Sequence, residues 1–139
     1  MKGGSIKLLV ADASWWLAYL LPHEITKPKL KEMDALVSRP EMKFLAPRLL
    51  VYEVGNALKM NVQRKRIDQE TGKLFLNNFL KLKIEISEID YREVLKTAIE
   101  NNMTFYDAAY VQLAWESKAD LLTLDEKMKQ VYEKLKLND

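Results

Sequence analysis

Four acidic side chains, Asp12, Glu53, Asp107 and Asp125, lie far apart in the chain, yet each falls where a strand gives way to a helix or where a helix begins. Asp12 directly follows the apolar run IKLLVA, and Asp125 directly follows ADLLTL. In an open parallel sheet both stand at the carboxyl edge, where ligands bind beside the reversal of strand order. If those two strands are neighbours, the carboxylates face one crevice. Glu53 lies in the first two turns of a helix leaving the second strand and reaches the same edge. Asp107 reaches it only if its own helix starts there. Carboxylates gathered in this way repel, by roughly 4 kcal/mol for two charges about 4 Å apart in a surface-like dielectric. A divalent cation removes the repulsion, and Mg²⁺ or Mn²⁺ is the hard ion that prefers oxygen ligands. Such an ion activates a water, orients it in line with a phosphodiester and neutralises charge on the phosphoryl and leaving oxygens. No side-chain nucleophile is then required, which suits a chain with no cysteine and one histidine.

Each acid also has a bland reading. An aspartate after a strand caps the next helix about as readily as it binds a ligand, so Asp12 and Asp125 taken singly remain open between the two. Asp107 reads equally as a cap or as a first-turn partner of the helix dipole. Glu53 is the sharper case, because it sits between Tyr52 and Val54, one turn before Ala57, where an unpaired acid is costly.

The elements that must position these acids follow from apolar spacing. Residues 6–11 read as a buried, central strand, and residues 14–21 as a helix capped by Asp12 or Ser14 and closed by Pro22. Residues 29–39 carry Leu30, Met33, Leu36 and Val37 on one helical face. Residues 42–46 form a second strand, and Pro47 opens a helix to about Gln63 with Leu50, Val54, Ala57 and Leu58 inward. Gly55 is a tolerated weak point there or a close-packing site. Asp68 begins a helix through Phe79, and residues 81–86 alternate as a half-buried strand. Ser87 is expected to cap a helix over 88–101 in a capping box with Asp90. Thr104 or Asp107 starts the next helix, to about Ser117. Residues 120–124 are a further strand and 126–132 a helix; the tail LKLND reads as an edge strand or a frayed end. Strands alternating with one or two helices imply an α/β fold, a three-layer α/β/α sandwich with a mainly parallel sheet and right-handed crossovers.

A chain of 139 residues is expected to form one domain, spanning 1–139. With 48% hydrophobic and 30% charged residues it has the composition of a soluble globular protein. The apolar start is interrupted by Asp12, and no stretch approaches the roughly 20 residues of a membrane span, so a cytoplasmic protein with no membrane contact is expected. A net charge of +2, from 22 basic and 20 acidic residues, gives only a weak global field, so a nucleic acid would need a local basic patch.

In the segments LLVADASWW, APRLLVYEVGNAL, TFYDAAYVQLA and ADLLTLDEKM, the chain resembles the PIN-domain nucleases, and among them the VapC-like ribonuclease toxins of toxin–antitoxin pairs. The order and approximate spacing agree over nearly the whole chain. The resemblance implies a parallel sheet of about five strands and a Mg²⁺- or Mn²⁺-dependent endoribonuclease. It also implies a homodimer and often a small antitoxin protein that blocks the site. Asp12, Glu53, Asp107 and Asp125 match the family's acidic quartet. Ser14 matches the hydroxyl after the first acid, Asn56 the polar residue one turn beyond the helix acid, and Thr123 the threonine before the last acid. These three would orient ligands or water. The family also contains RNA-processing enzymes outside toxin pairs, which the motif does not separate.

Phosphates of an RNA need cations, for which Arg48, Lys118, Lys127 and the Arg64-Lys65-Arg66 cluster are the candidates. Trp15, Trp16 and Tyr19 suit the core or an interface better than a base-stacking platform, since their spacing turns some of them inward. Trp115 reads as packing or interface, and His23 as surface. A receiver domain would need an acidic pair after the first strand, and an aspartyl phosphatase a second Asp where Ser14 stands. A catalytically silent binding scaffold is the remaining alternative, though it gives four acids no purpose.

Overall fold

The computed structural model describes residues 5–21 and 25–138. The expected roles of Pro22 and His23 fall outside these residues. The elements run β1 (Lys7–Ala11), α1 (Ala13–Leu20), α2 (Lys27–Ser38), β2 (Met42–Ala46), α3 (Leu49–Gln63), α4 (Gln69–Leu80), β3 (Ile84–Ile86), α5 (Tyr91–Asn101), α6 (Phe105–Ser117), β4 (Asp120–Leu122) and α7 (Glu126–Leu137). The strands form one parallel sheet in the order β3-β2-β1-β4. Among the described residues the sheet has four strands, close to the five expected.

The chain steps from β1 outward to β2 and β3, then returns past them to pair β4 with the other side of β1. With right-handed crossovers, that reversal sends the α5–α6 connection to the opposite face from the α1–α2 and α3–α4 connections. The packing agrees: α1 meets α2 and α3, α3 meets α4, and α6 lies between α5 and α7. β1 is therefore central, with Leu9, Val10 and Ala11 buried, while the outer strands β3 and β4 are three residues each. Short edges limit unwanted pairing. Trp15 and Trp16 are buried against Phe44, and Trp16 also against Phe79, so the first-helix aromatics are core, with Tyr19 half-buried and donating to Asp34. Trp115 lies at the surface.

Several boundaries differ from the sequence expectation, among them the start of β3, at Ile84 rather than Lys81. Ser87 does not cap α5: its N–H continues the ladder to the Ala46 carbonyl, and Asp90 caps instead, accepting from the Arg92 N–H at 3.0 Å. β4 stops at Leu122 because the Leu124 N–H turns away to the Ser14 hydroxyl. The tail is neither strand nor frayed end through Leu137. It extends α7, burying Met128, Val131 and Tyr132 with Leu135 half-buried, a helical stripe that only the longer segment reveals. Gly55 is the tolerated weak point, with open space where a Cβ would stand. No helix among the described residues is long and apolar enough to cross a membrane.

Candidate active site

Strand register brings the first acid to the last strand. Ala11 pairs with Leu122, and the Asp12 N–H bonds the Leu122 carbonyl at 3.1 Å, so Asp12 and Thr123 emerge side by side at the carboxyl edge. Asp12 is 5% exposed. Its Oδ1 accepts from the Ser14 hydroxyl at 2.7 Å and from the Trp15 N–H at 3.1 Å, and its Oδ2 accepts from the Thr123 hydroxyl at 2.7 Å. Thr123 in turn accepts the Asp125 N–H at 3.0 Å, and Ser14 accepts the Leu124 N–H at 3.1 Å. The two hydroxyls thus tie the loops after β1 and β4 into one unit. Burial without these donors would be costly, and with them the carboxylate is locked in one orientation.

Asp125 caps α7 through the Met128 N–H at 3.1 Å. Thr104, rather than Asp107, caps α6, which places Asp107 in the first turn. α6 ends beside the amino end of β4, so its start points to the carboxyl edge, as a role for Asp107 requires. Burial, then the charges of Asp125 and Asp12, push the Asp107 carboxyl above its ordinary range, opposed by Thr104 and Lys127. Glu53 is also raised, by burial first and further by Asp107 and Asp12, while a hydrogen bond from Tyr110 opposes the shift. Glu53 thus feels Asp107 and Asp12, and Asp107 feels Asp125 and Asp12.

Tyr110 is the site residue that sequence reasoning missed. Its hydroxyl donates to Glu53 Oε1 at 2.5 Å, and burial with this bond pushes the phenol far above its usual range. The available signal was its spacing: three residues after Asp107, it shares that acid's helical face.

The remaining candidates separate by position. Ser14 and Thr123 lie in the site; Asn56 is exposed one turn beyond Glu53, with no hydrogen bond among the described residues. Lys127 reaches the Asn102 carbonyl and sits close enough to Asp107 to oppose its shift. Arg48 opens α3 at the carboxyl edge and pairs with Glu88 at 2.8 Å. Arg64, Lys65 and Arg66 close the other end of α3, with Arg64 about 17 Å along the axis from Glu53. Lys118 caps α6 at the amino edge of the sheet, the length of β4 away from Asp125. The structure does not bring Lys118 or the Arg64 cluster to the acids.

Among the described residues, no three His, Asp or Glu side chains are drawn close enough to enclose a metal ion by themselves. Mg²⁺ does not require such a cage, since it keeps several waters and takes one or two carboxylates plus substrate phosphate. The all-oxygen donor set of these acids fits that mode.

The chain is similar to the ribonuclease VapC3 of Pyrobaculum aerophilum, 31% identical over 124 residues that cover 86% of this chain and 91% of that protein. It is 34% identical to the exonuclease VapC9 of the same organism over 80 residues, 58% of this chain and 60% of that protein, so less than two thirds of that relative is spanned. The crystal structure of PAE2754 from Pyrobaculum aerophilum superposes with a TM-score of 0.70 at 27% identity, covering 97% of each chain. The family model of the PIN domain matches residues 9–134, and on that match the chain belongs to the PIN domain family.

Proposed function

We propose that this protein is a divalent-metal-dependent endoribonuclease, the toxin of a toxin–antitoxin pair, with Asp12, Glu53, Asp107 and Asp125 as its metal-binding and catalytic acids. The observation that carries the reading is the electrostatic coupling of these acids, contributed by both helical layers, at the carboxyl edge where strand order reverses. Membership of the PIN domain family and similarity to a protein named ribonuclease VapC3 support it.

When bound, Mg²⁺ or Mn²⁺ supplies an activated water and neutralises charge on the phosphoryl oxygens. The chain's own part is to hold the acids still. Ser14, Thr123 and the Trp15 N–H fix Asp12, with a single hydrogen bond, from Thr123, on Oδ2. Asp125 spends Oδ1 on its helix cap and keeps Oδ2. Asn56, one turn beyond Glu53, orients water or ligand. Arg48 and Lys127, nearest the acids, hold the phosphates flanking the cut. Arg64, Lys65 and Arg66 bind the same RNA farther along, with Lys118 a more remote contact. An exposed stripe on α5, Tyr91, Leu95 and Ile99, gives a homodimer its apolar face, and a small antitoxin protein covers the acids. A cytoplasmic location fits this role.

The test incubates partner-free protein with structured and unstructured RNA, in Mg²⁺, Mn²⁺ or chelator, beside Asp12→Asn. Metal-dependent cleavage that the variant loses is expected. Equal cleavage by Asp12→Asn, or none on either RNA by protein verified to bind metal, would sink the reading.

A further inference from the structure

We infer that Tyr110 is a positioning residue for Glu53: its phenol holds one carboxylate oxygen so that the other alone is presented to the crevice. The inference rests on the nuclease reading above and adds to it a residue outside the acidic quartet. Glu53 projects from a half-buried position on α3 and has three side-chain torsions to restrain, unlike Asp12, whose short side chain is held by its own loop. Tyr110 is 1% exposed, with its ring packed in α6, so its hydroxyl is a fixed point. The 2.5 Å contact to Glu53 Oε1 has the length of a charge-assisted O–H···O⁻ bond, and it joins residues 57 apart in sequence from opposite helical layers. Glu53 Oε2 has no hydrogen-bond partner among the described residues, so one oxygen is committed and one is available.

The same phenol feels the charges of Asp12 and Asp107. A tyrosine is suited to this place because it supplies a neutral donor that does not compete with a cation for the carboxylates. A Lys there would neutralise Glu53, and a Phe would leave its carboxylate free to swing.

The experiment compares wild type, Tyr110→Phe, Glu53→Ala and the double variant for Mn²⁺ binding by calorimetry without RNA, for RNA binding in chelator, and for thermal melting. Tyr110→Phe is expected to weaken Mn²⁺ binding by about tenfold, the usual effect of losing a group that orients a ligand. RNA binding in chelator and the cooperative melt are expected to persist, and the loss to vanish in the Glu53→Ala background. Under saturating Mn²⁺, kcat falls while KM stays. Wild-type Mn²⁺ affinity in Tyr110→Phe, or an equal further loss in the Glu53→Ala background, overturns this inference alone. Wild-type protein that binds no Mn²⁺ overturns the metal-dependent nuclease reading along with it. If Tyr110→Phe melts non-cooperatively, Glu53→Ala, which removes the same contact from the other side, decides: a melt as cooperative as wild type with weakened Mn²⁺ binding supports positioning, and a collapsed melt assigns the contact to folding and overturns the inference.

Discussion

Asp12 and Asp125 each cap a helix, Asp12 through the Trp15 N–H and Asp125 through the Met128 N–H. Asp125 leaves Oδ2 without a hydrogen bond among the described residues, whereas Asp12 Oδ2 also accepts from the Thr123 hydroxyl. The consequences for stability differ between acids. Asp12→Ala strands the Ser14 hydroxyl, the Trp15 N–H and the Thr123 hydroxyl without their acceptor, and is expected to cost about 1–3 kcal/mol in denaturant melts. Glu53→Gln removes a charge that burial and neighbouring acids disfavour while keeping an acceptor for Tyr110. In chelator its melting temperature is expected to rise, on the order of 2 °C. A fall would mean that the Glu53 charge is already balanced by a group other than a metal.

At the scale of elements, α3 carries Glu53 and packs on α4, and the two glycines of this pair behave differently. A Cβ at Gly55 meets nothing within 4 Å, whereas one at Gly72 meets Val62 Cγ2 at 3.0 Å, where α4 packs closely on α3. Gly55→Ala is expected to stabilise by roughly 0.5–1 kcal/mol through helix propensity, and Gly72→Ala to melt no higher than wild type. Differential scanning of both variants checks the pair. The same helix carries Glu53 near one end and Arg64 beyond the other. Neutralising Arg64, Lys65 and Arg66 should weaken RNA binding and flatten its salt dependence while leaving Mn²⁺ affinity unchanged. An unaltered salt slope would remove this cluster from the RNA path.

For the whole molecule, the raised Glu53 and Asp107 carboxyls make stability depend on pH. Between their ordinary and raised values the folded protein holds protons that the unfolded chain has released. Stability of the metal-free protein therefore falls as pH rises through that window, upward from about pH 4. The difference in melting temperature between wild type and Glu53→Gln should widen over the same interval and shrink when Mn²⁺ is added. A difference independent of pH would contradict it. Leu95→Lys with Ile99→Lys tests the proposed homodimer face on α5: a wild-type dimer that becomes a monomer by light scattering is expected, and an unchanged oligomeric state would remove α5 from that proposal. By itself the sequence determined the alternating order of strands and helices, the strand-end positions of Asp12 and Asp125, and the helical place of Glu53, because apolar spacing and turn residues act over a few residues. It also carried the family in four short segments. Only the tertiary structure decided that β4 lies beside β1, that Tyr110 reaches Glu53, that the tail completes α7, and that Lys118 and the Arg64 cluster stand away from the acids. Those outcomes depend on register and on which helix ends share an edge, contacts between residues tens of positions apart that no local pattern encodes.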